Sequence, residues 1–433
     1  MCPSSNTLQS WDELDPPAYD IINACVQCGL CLSVCPTYLL TFKETSSPRG
    51  RIHLLKAVWE GKLDARDPIL DHQMYECLDC RACEAICPSG VRYGVLVESA
   101  RAQLERKHPR SLWVRALRWI VFNKLFASMA LFRAFSRALW LYQRIGLSRI
   151  ARSTRILDIL HLADKEALLP QIPSKFFVPE DQVLPPKGNK RFRVGLFAGC
   201  IMSTAFAEID RATIRVLQHN GCEVVVPKRQ GCCGALNVHS GERRSATEMM
   251  KANIQAFEGL DLDYIIVNSA GCGATLKEYP HFFKDDPGWH ERAKHFSSLV
   301  RDVSEFLSEV GMSGPNRAVP VRVTYQDPCH LAHAQKLYKQ PRELLASIPG
   351  VELVEMQESK LCCGSAGIYN ITNPEISNQL LERKLEHALA TGAEVIVSAN
   401  PGCMLQLQKG LRHRGLDIQV KHLVQILDQA YGD

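Results

Sequence analysis

The chain has 433 residues, room for two or three domains with substantial cores, and a formal charge of only +5. Its 18 cysteines, gathered into motifs within so long a chain, point to metal ligation rather than cross-linking, and so to a reducing compartment. The start, Met1-Cys2-Pro3-Ser4-Ser5-Asn6, has neither a basic n-region nor an apolar h-region, and no stretch reaches about 18 uncharged apolar residues, so neither export nor a membrane-spanning helix is expected.

Residues 1–24 read as a polar lead with a short helix around Tyr19–Asn23. Cys25, Cys28, Cys31 and Cys35 then stand in C-x2-C-x2-C-x3-C-P spacing, the run that ligates iron–sulfur clusters in bacterial ferredoxins. The same run returns at Cys77, Cys80, Cys83 and Cys87, closed by Pro88. Three thiolates at this spacing wrap one face of a cubane, because the short turn aims each sulfur at a different iron. The fourth, set off by three residues and followed by a helix-stopping proline, points to the partner cluster. The expected sets for two [4Fe–4S] clusters are Cys25, Cys28, Cys31 with Cys87, and Cys77, Cys80, Cys83 with Cys35. Zinc sites use isolated pairs and disulfide scaffolds are short secreted chains, so neither matches two complete runs.

Between the runs, Ser46-Ser47-Pro48-Arg49-Gly50-Arg51 and the helical spacing of Ile52–Val58 predict a helix start. A helical insert of this length predicts an α-helical ferredoxin-type domain over residues 1–108. Arg49 and Arg51 either neutralise clusters and donate to their sulfurs or belong to a solvated turn.

Residues 109–190 read as a basic amphipathic helical segment and linker. From Arg106 to Arg155 there are twelve Lys/Arg and no Asp or Glu, which leaves the rest of the chain at −7. Trp113, Trp119, Phe122, Phe126, Phe132, Phe135, Trp140 and Tyr142 are interleaved at helical period with Arg115, Arg118, Lys124, Arg133, Arg137 and Arg144. Such a segment suits an anionic membrane surface, a partner protein, or a helical pair covering the cluster domain with a solvated basic face. No nucleic-acid motif accompanies the charge, so no nucleic-acid partner is expected. Gln171–Lys190, rich in proline and charge, reads as a linker.

The remainder is an internal repeat, expected to form α/β domains over residues 191–314 and 315–433. Cys200, the pair Cys232-Cys233 and Cys272 in the first copy match Cys329, Cys362-Cys363 and Cys403 in the second, at offsets of 129, 130 and 131. Each follows or lies near a buried-type strand and precedes helical sequence, which places each quartet at the tips of one α/β layer. Gly234 and Gly364, after the pairs, let the backbone turn tightly around a bulky group. Four thiolates suffice for a cubane, but two adjacent ones must diverge unless the backbone turns sharply, so an unusual cluster fits as readily as a regular one. One or two further iron–sulfur centres are therefore expected here. His330 and His239 are candidates to replace a thiolate, or else surface or core histidines. Cys222 and Cys2 read as ordinary thiols, and the absence of a G-x-G-x-x-G fingerprint argues against a flavin or nicotinamide bound by that route.

Two ferredoxin runs followed by two Cys-Cys-Gly domains resemble the iron–sulfur subunits of glycolate oxidase (glycolate dehydrogenase), from about Cys25 to the end of the chain. The most specific local matches are Ser47-Pro48-Arg49-Gly50-Arg51, Cys87-Pro88-Ser89-Gly90-Val91, Ser269-Ala270-Gly271-Cys272-Gly273 and Leu361-Cys362-Cys363-Gly364-Ser365-Ala366-Gly367. The resemblance implies an electron-transfer subunit with no catalytic residues for substrate of its own. FAD-linked partner subunits would oxidise glycolate to glyoxylate, and electrons would pass to a quinone or other membrane acceptor. It implies a cytoplasmic location, peripheral on the inner face of the membrane. Subunits of lactate and glycerol-3-phosphate dehydrogenases share the plan, as do those of heterodisulfide reductase. In the last, each motif ends C-x2-C around a noncubane cluster, whereas here the copies end Cys272-Gly273-Ala274-Thr275 and Cys403-Met404-Leu405-Gln406. The missing ligand argues against disulfide-reducing chemistry.

Overall fold

The structure, a computed structural model, describes residues 10–432 except 109, 155, 156 and 158–161; Cys2 and Arg155 lie outside the described residues. Among these residues no strand precedes Gln182, so the N-terminal lobe is helical as expected. The helix Pro48–Trp59 begins where the turn signal put it: Pro48 takes the first position, and the Ser47 side chain accepts from the Gly50 amide at 3.0 Å. It packs with the helices Pro68–Glu76 and Tyr93–Lys107 around Leu55, Val58, Leu70, Met74, Leu96 and Val97. Pro36 does not stop a helix but opens one, Pro36–Thr41, with Cys35 at its cap. The fixed φ of proline suits a first helical position, and its missing N–H is not needed there.

The basic segment forms helices Leu112–Arg118 and Met129–Arg144, joined through a π-helical turn at Trp119–Leu125, then a short helix Leu147–Ser153. Phe122 and Phe132 are buried, while Leu112, Trp113, Leu117, Trp119 and Ile120 face outward. No helix among the described residues is long and apolar enough to cross a membrane.

The repeat becomes two sheets. The first contains β1 (Gln182–Leu184), β2 (Phe192–Phe197), β3 (Cys222–Val226), β4 (Tyr264–Val267) and β5 (Val300–Asp302), in the order β1-β3-β2-β4-β5. The second contains β6 (Val321–Tyr325), β7 (Val351–Leu353), β8 (Val395–Val397) and β9 (Gln419–Lys421), in the order β7-β6-β8-β9. Apart from β1, every pairing is parallel, so the two copies share one strand order. β1 lies within the expected linker and pairs antiparallel with β3, and Phe177 just before it is buried in the shared core. Proline and charge disguised this stretch as a connection, whereas it covers a sheet edge.

One continuous core joins the copies, running from Val194, Leu196 and Val224 through Leu217 to Val323, Tyr325 and Leu427. The strand ends also meet: the Ala270 amide donates to the Ala399 carbonyl at 3.1 Å, and the Gly271 amide to Asn400 Oδ1 at 3.1 Å.

Candidate functional site

In each copy the first parallel strand lies between the second and third. Open α/β sheets of this order place their ligand crevice where the chain leaves the first strand in one direction and the third in the other. Cys200 follows β2 and Cys272 follows β4; Cys329 follows β6 and Cys403 follows β8. The Cys-Cys loops arrive from the ends of β3 and β7. Both quartets therefore assemble at the carboxyl ends of their sheets. Cys200 Sγ lies 3.6 Å from Cys232 Sγ, and Cys233 Sγ lies 3.2 Å from Cys272 Sγ. In the second copy Cys362 lies beside Cys329, and Cys363 beside Cys403. Gly234 and Gly364 each take φ of +85°, and a Cβ on Gly364 would stand 2.5 Å from the Ser377 carbonyl. Only glycine closes that turn, which lets adjacent cysteines both face the crevice.

Hydrogen bonds from Cys200 and Cys233 hold the Cys232 thiol well below the ordinary range, and bonds from Cys362 and Cys403 do the same for Cys363. Cys200 and Cys403 are pushed up by their bonds to Cys232 and Cys363, respectively, and by burial. The surroundings of the two quartets differ at one matched position. Asn253 donates to the Cys232 carbonyl at 2.8 Å in the first copy. In the second, at the offset that relates Cys272 to Cys403, stands Lys384, buried beside Cys362, Cys363 and Cys403, its Nζ donating to the Ser359 carbonyl at 3.0 Å. Burial lowers the pKa of this lysine, and the neighbouring thiols oppose that shift.

The ferredoxin runs coil alike. Gln27 and Gly29 in the first, and Asp79 and Arg81 in the second, occupy matched positions and all have positive φ. Left-handed residues at alternate positions turn backbone amides inward, as in anion-binding nests; the Asp79 amide donates to Cys77 Sγ at 3.3 Å and the Val91 amide to Cys87 Sγ at 3.5 Å. Cys25, Cys28, Cys31 and Cys87 line one cavity of about 30 Å³, together with Cys83 from the other expected set. Burial pushes Cys77, Cys80 and Cys83 up; Cys35 and Cys77 lie near enough to Cys80 and Cys83 to add to this, and Cys329 adds to it at Cys80. Soft thiols in fours, two of them accepting from backbone amides, fit iron–sulfur ligation. Cys28 is exposed, whereas Cys35, Cys77 and Cys80 are buried.

Arg49 and Arg51 part company. Arg49 lies at the surface, paired to Glu44 and donating to the Gln27 carbonyl at 3.2 Å. Arg51 is buried and donates to Glu76 at 2.8 Å, the Gln73 carbonyl at 2.8 Å and Thr37 Oγ1 at 3.1 Å. Cys77 and Cys35 lie close enough to hold it firmly charged.

The second ferredoxin run sits on the second quartet. Leu78, Cys80, Cys329, Cys362 and Tyr369 pack together, and the Tyr369 hydroxyl donates to the Glu76 carbonyl at 2.9 Å. Beside them lies a polar seam that residue pattern alone did not reveal. Asp79 meets His239 Nδ1 at 3.0 Å; Arg81 holds Glu98 at 2.8 Å and also pairs with Glu278. The rings of His239 and His330 stand 5.1 Å apart, and His330 Nε2 lies 2.9 Å from the Asp79 carbonyl. Both candidate histidines thus join lobes together, and their ring nitrogens are directed at oxygen partners. Cys222 lies in the core on β3, its thiol pushed up to about 12 by burial.

A cavity of about 790 Å³ connects these parts, touching Cys77 and all eight quartet cysteines. The basic segment forms one wall, where Phe132 packs with Cys200 and Cys232. Several of its cations are used internally: Arg106 pairs with Asp12, Arg110 with Glu105, Arg118 with Glu105 and Glu242, and Arg152 with Glu166. Arg115, Arg137, Arg144 and Arg149 remain exposed.

Comparison with known proteins divides the chain along the same lines. Residues 21–91 match the family model of the 4Fe-4S dicluster domain, and residues 194–277 and 323–408 each match that of the cysteine-rich domain. Residues 113–169 match the linker region of the glycolate oxidase iron-sulfur subunit. The chain is 44% identical over 416 residues to a probable glycolate oxidase iron-sulfur subunit of Bacillus subtilis (strain 168), covering 94% of each. It is 34% identical over 417 residues to the glycolate oxidase iron-sulfur subunit of Escherichia coli (strain K12), covering 95% of each. It is also 35% identical over 237 residues to lactate utilization protein A of Oceanobacillus iheyensis, covering 54% of this chain and 96% of that one.

Proposed function

The chain belongs to the glycolate oxidase iron–sulfur subunit family, and from that premise we propose that it is the electron-transfer subunit of a flavin-dependent glycolate dehydrogenase. Glycolate oxidation to glyoxylate belongs to FAD-linked partner subunits, and this chain carries the electrons to a quinone-type acceptor at the membrane. The observation that carries the reading is the run of thiol sets from the exposed Cys28 to the quartets around the central cavity.

Cys25, Cys28, Cys31 and Cys87 would hold one [4Fe–4S] cluster, and Cys77, Cys80, Cys83 and Cys35 the other. Cys200, Cys232, Cys233, Cys272 and Cys329, Cys362, Cys363, Cys403 would hold up to two further centres. Bound clusters supply one-electron carriers between a two-electron donor and its acceptor. The chain's own residues set their surroundings: burial around Cys80 and Cys362 excludes water, Arg51 offsets anionic charge near Cys35 and Cys77, and Lys384 does so beside the second quartet. The exposed side of the first set is where a flavoprotein can approach closely. The outward Trp113 and Leu117, beside Arg115, suit the headgroup region of an anionic membrane, holding the subunit peripherally on its cytoplasmic face.

Cys28→Ser and Cys80→Ser test the assignment in the assembled complex. Each should lower the iron and labile-sulfide content and stop glycolate-to-quinone transfer, while the flavoprotein still reduces a dye directly. Full transfer in both variants would remove the ferredoxin runs from the path. Anaerobic iron counting tests the quartets: about eight irons per chain leaves them without cubanes, and substantially more fills them.

A further inference from the structure

The two ferredoxin sets differ in exposure: Cys28 of the first is exposed, whereas Cys35, Cys77 and Cys80 of the second are buried. Burial disfavours added negative charge, so at equal ligation the inner cluster is the harder to reduce, and an electron arriving at the outer set would stay there. Inward transfer is favoured by groups that stabilise charge on the inner sulfurs. Arg51 beside Cys35 and Cys77 is one, and the Asp79 amide on Cys77 is another. Tyr93 is placed to be a third. It opens the helix Tyr93–Lys107, where its amide donates to the Val91 carbonyl at 3.0 Å and the Val91 amide donates to Cys87 Sγ at 3.5 Å, which ties its backbone to the first set. Tyr93 lines the small cavity of that set and packs in the same core as Cys77 of the other. It is 3% exposed, and its hydroxyl is buried without a hydrogen-bond partner. Two other tyrosines nearby are satisfied by oxygen, Tyr369 donating to the Glu76 carbonyl and Tyr75 to Glu105. The neighbours of Tyr93 are Arg51, a donor already occupied by Glu76, Gln73 and Thr37, and the sulfurs of Cys77 and Cys83. The thiolate that ligates a metal is a far stronger acceptor than a thiol.

We propose that Tyr93 is a positioning residue for the inward electron step: its hydroxyl donates to the Cys77 sulfur and raises the potential of the inner cluster relative to the outer one. This rests on the electron-transfer reading above and adds a residue and a direction to it. One electron leaves the outer set and one enters the inner set; no covalent bond forms or breaks, and the phenol keeps its proton. Reduction puts more charge on the Cys77 sulfur, so the hydrogen bond is stronger after the step than before it.

The test is a redox titration of anaerobically prepared full-length protein of measured iron content, followed by electron paramagnetic resonance. Tyr93→Phe keeps the ring and its packing, and should change the reduction equilibrium of the inner cluster about tenfold, a midpoint lowered by about 59 mV, at unchanged iron content. Tyr93→3-fluorotyrosine, introduced at that codon alone, carries a more acidic phenol and should raise the same midpoint. A packing defect would move both variants in one direction. The Tyr93→Phe shift should persist in Cys28→Ser protein, whose inner set is complete. Tyr19→Phe, which removes a 41% exposed hydroxyl from the same lobe, should titrate as wild type. Unchanged midpoints in Tyr93→Phe, shifts of one sign in both variants, or a shift lost in the Cys28→Ser background overturns the role and leaves the electron-transfer reading intact. Should Tyr93→Phe lose iron, the fluorinated protein decides: a raised midpoint supports the role and an unchanged one overturns it. Wild-type protein with no reducible cluster at either set would instead remove the reading on which the role rests.

Discussion

Replacing Arg51 by methionine is the sharpest single test of how the ferredoxin lobe is held together. The side chain is 1% exposed, and its guanidinium serves Glu76, the Gln73 carbonyl and Thr37 Oγ1 at 2.8, 2.8 and 3.1 Å. Removing one partner of a buried ion pair costs about 3–5 kcal/mol, because the remaining charge is left without compensation. Glu76 keeps some support. With the Gln73 amide turned, its nitrogen reaches Glu76 Oε2 at 3.2 Å, and His72 lies 3.8 Å from the other oxygen. That places the expected loss near the lower bound, about 3 kcal/mol, a large part of the roughly 5–15 kcal/mol that holds a typical domain folded. The electrostatic effect is separable. Unit charges 4 Å apart interact by about 4 kcal/mol at an effective dielectric near 20, and about 1.4 kcal/mol corresponds to 59 mV for one electron. Losing the cation beside Cys35 and Cys77 should therefore lower the midpoint potential of any cluster they hold by on the order of 100 mV. Arg51→Met/Glu76→Gln should regain most of the stability, since no charge is stranded. The assays are thermal unfolding under anaerobic conditions, iron counting, and redox titration followed by electron paramagnetic resonance. An Arg51→Met protein with wild-type midpoint, iron content and unfolding temperature would refute the assignment of this residue.

Four other outcomes are expected. Charge reversal at Arg115, Arg144 and Arg149 should release the subunit from anionic vesicles, each cation contributing roughly 1 kcal/mol, and high salt should mimic it; vesicle flotation that survives both points to attachment through a partner. Arg118→Glu should instead destabilise the fold, because that side chain is already paired with Glu105 and Glu242. Burial alone would lower the pKa of His239, but its bonds to Asp79 and Glu98 raise it to about 9. A raised value means the stabilisation is complete below about pH 6.5 and is lost as pH climbs through 9, up to about 3 kcal/mol. Unfolding followed from pH 6 to 10 should show that loss in wild type and not in His239→Gln; equal profiles would exclude the pair as its source. Lys384→Asn, which copies the first quartet's Asn253, should lower the potential of any centre held by Cys329, Cys362, Cys363 and Cys403, and an unchanged redox titration would count against that lysine as a tuning charge.

Much of this architecture is local and so was legible in residue order. The cysteine spacings, the Ser47-Pro48 helix start and the matched offsets of the two quartets each lie within short windows where turn chemistry and periodicity act. The α/β character of the two copies was legible from their repetition, whereas the parallel strand order emerged only in the fold. What escaped is long-range. Arg81 in the second run reaches Glu278, and His330 reaches the Asp79 carbonyl, across intervals that no pattern links. The basic segment showed its charge but not its pairing: Glu105 directly precedes it, but Glu242 meets it only in three dimensions. β1 was masked by the prolines around it, since a three-residue strand at a sheet edge has almost no periodic signal.

The burial of the inner cysteines bears on how the protein is made. Cys80, Cys232, Cys233, Cys362 and Cys363 are each less than 10% exposed, enclosed where the helical lobe, the basic segment and both sheets meet. Cys28 is the exposed member of the described cysteines, while these five offer almost no surface to an incoming metal carrier. Any cluster held by these inner sets would have to be placed before the helical lobe, the basic segment and the sheets close over them, so the expected yield of loaded subunit depends on iron supply while the chain folds.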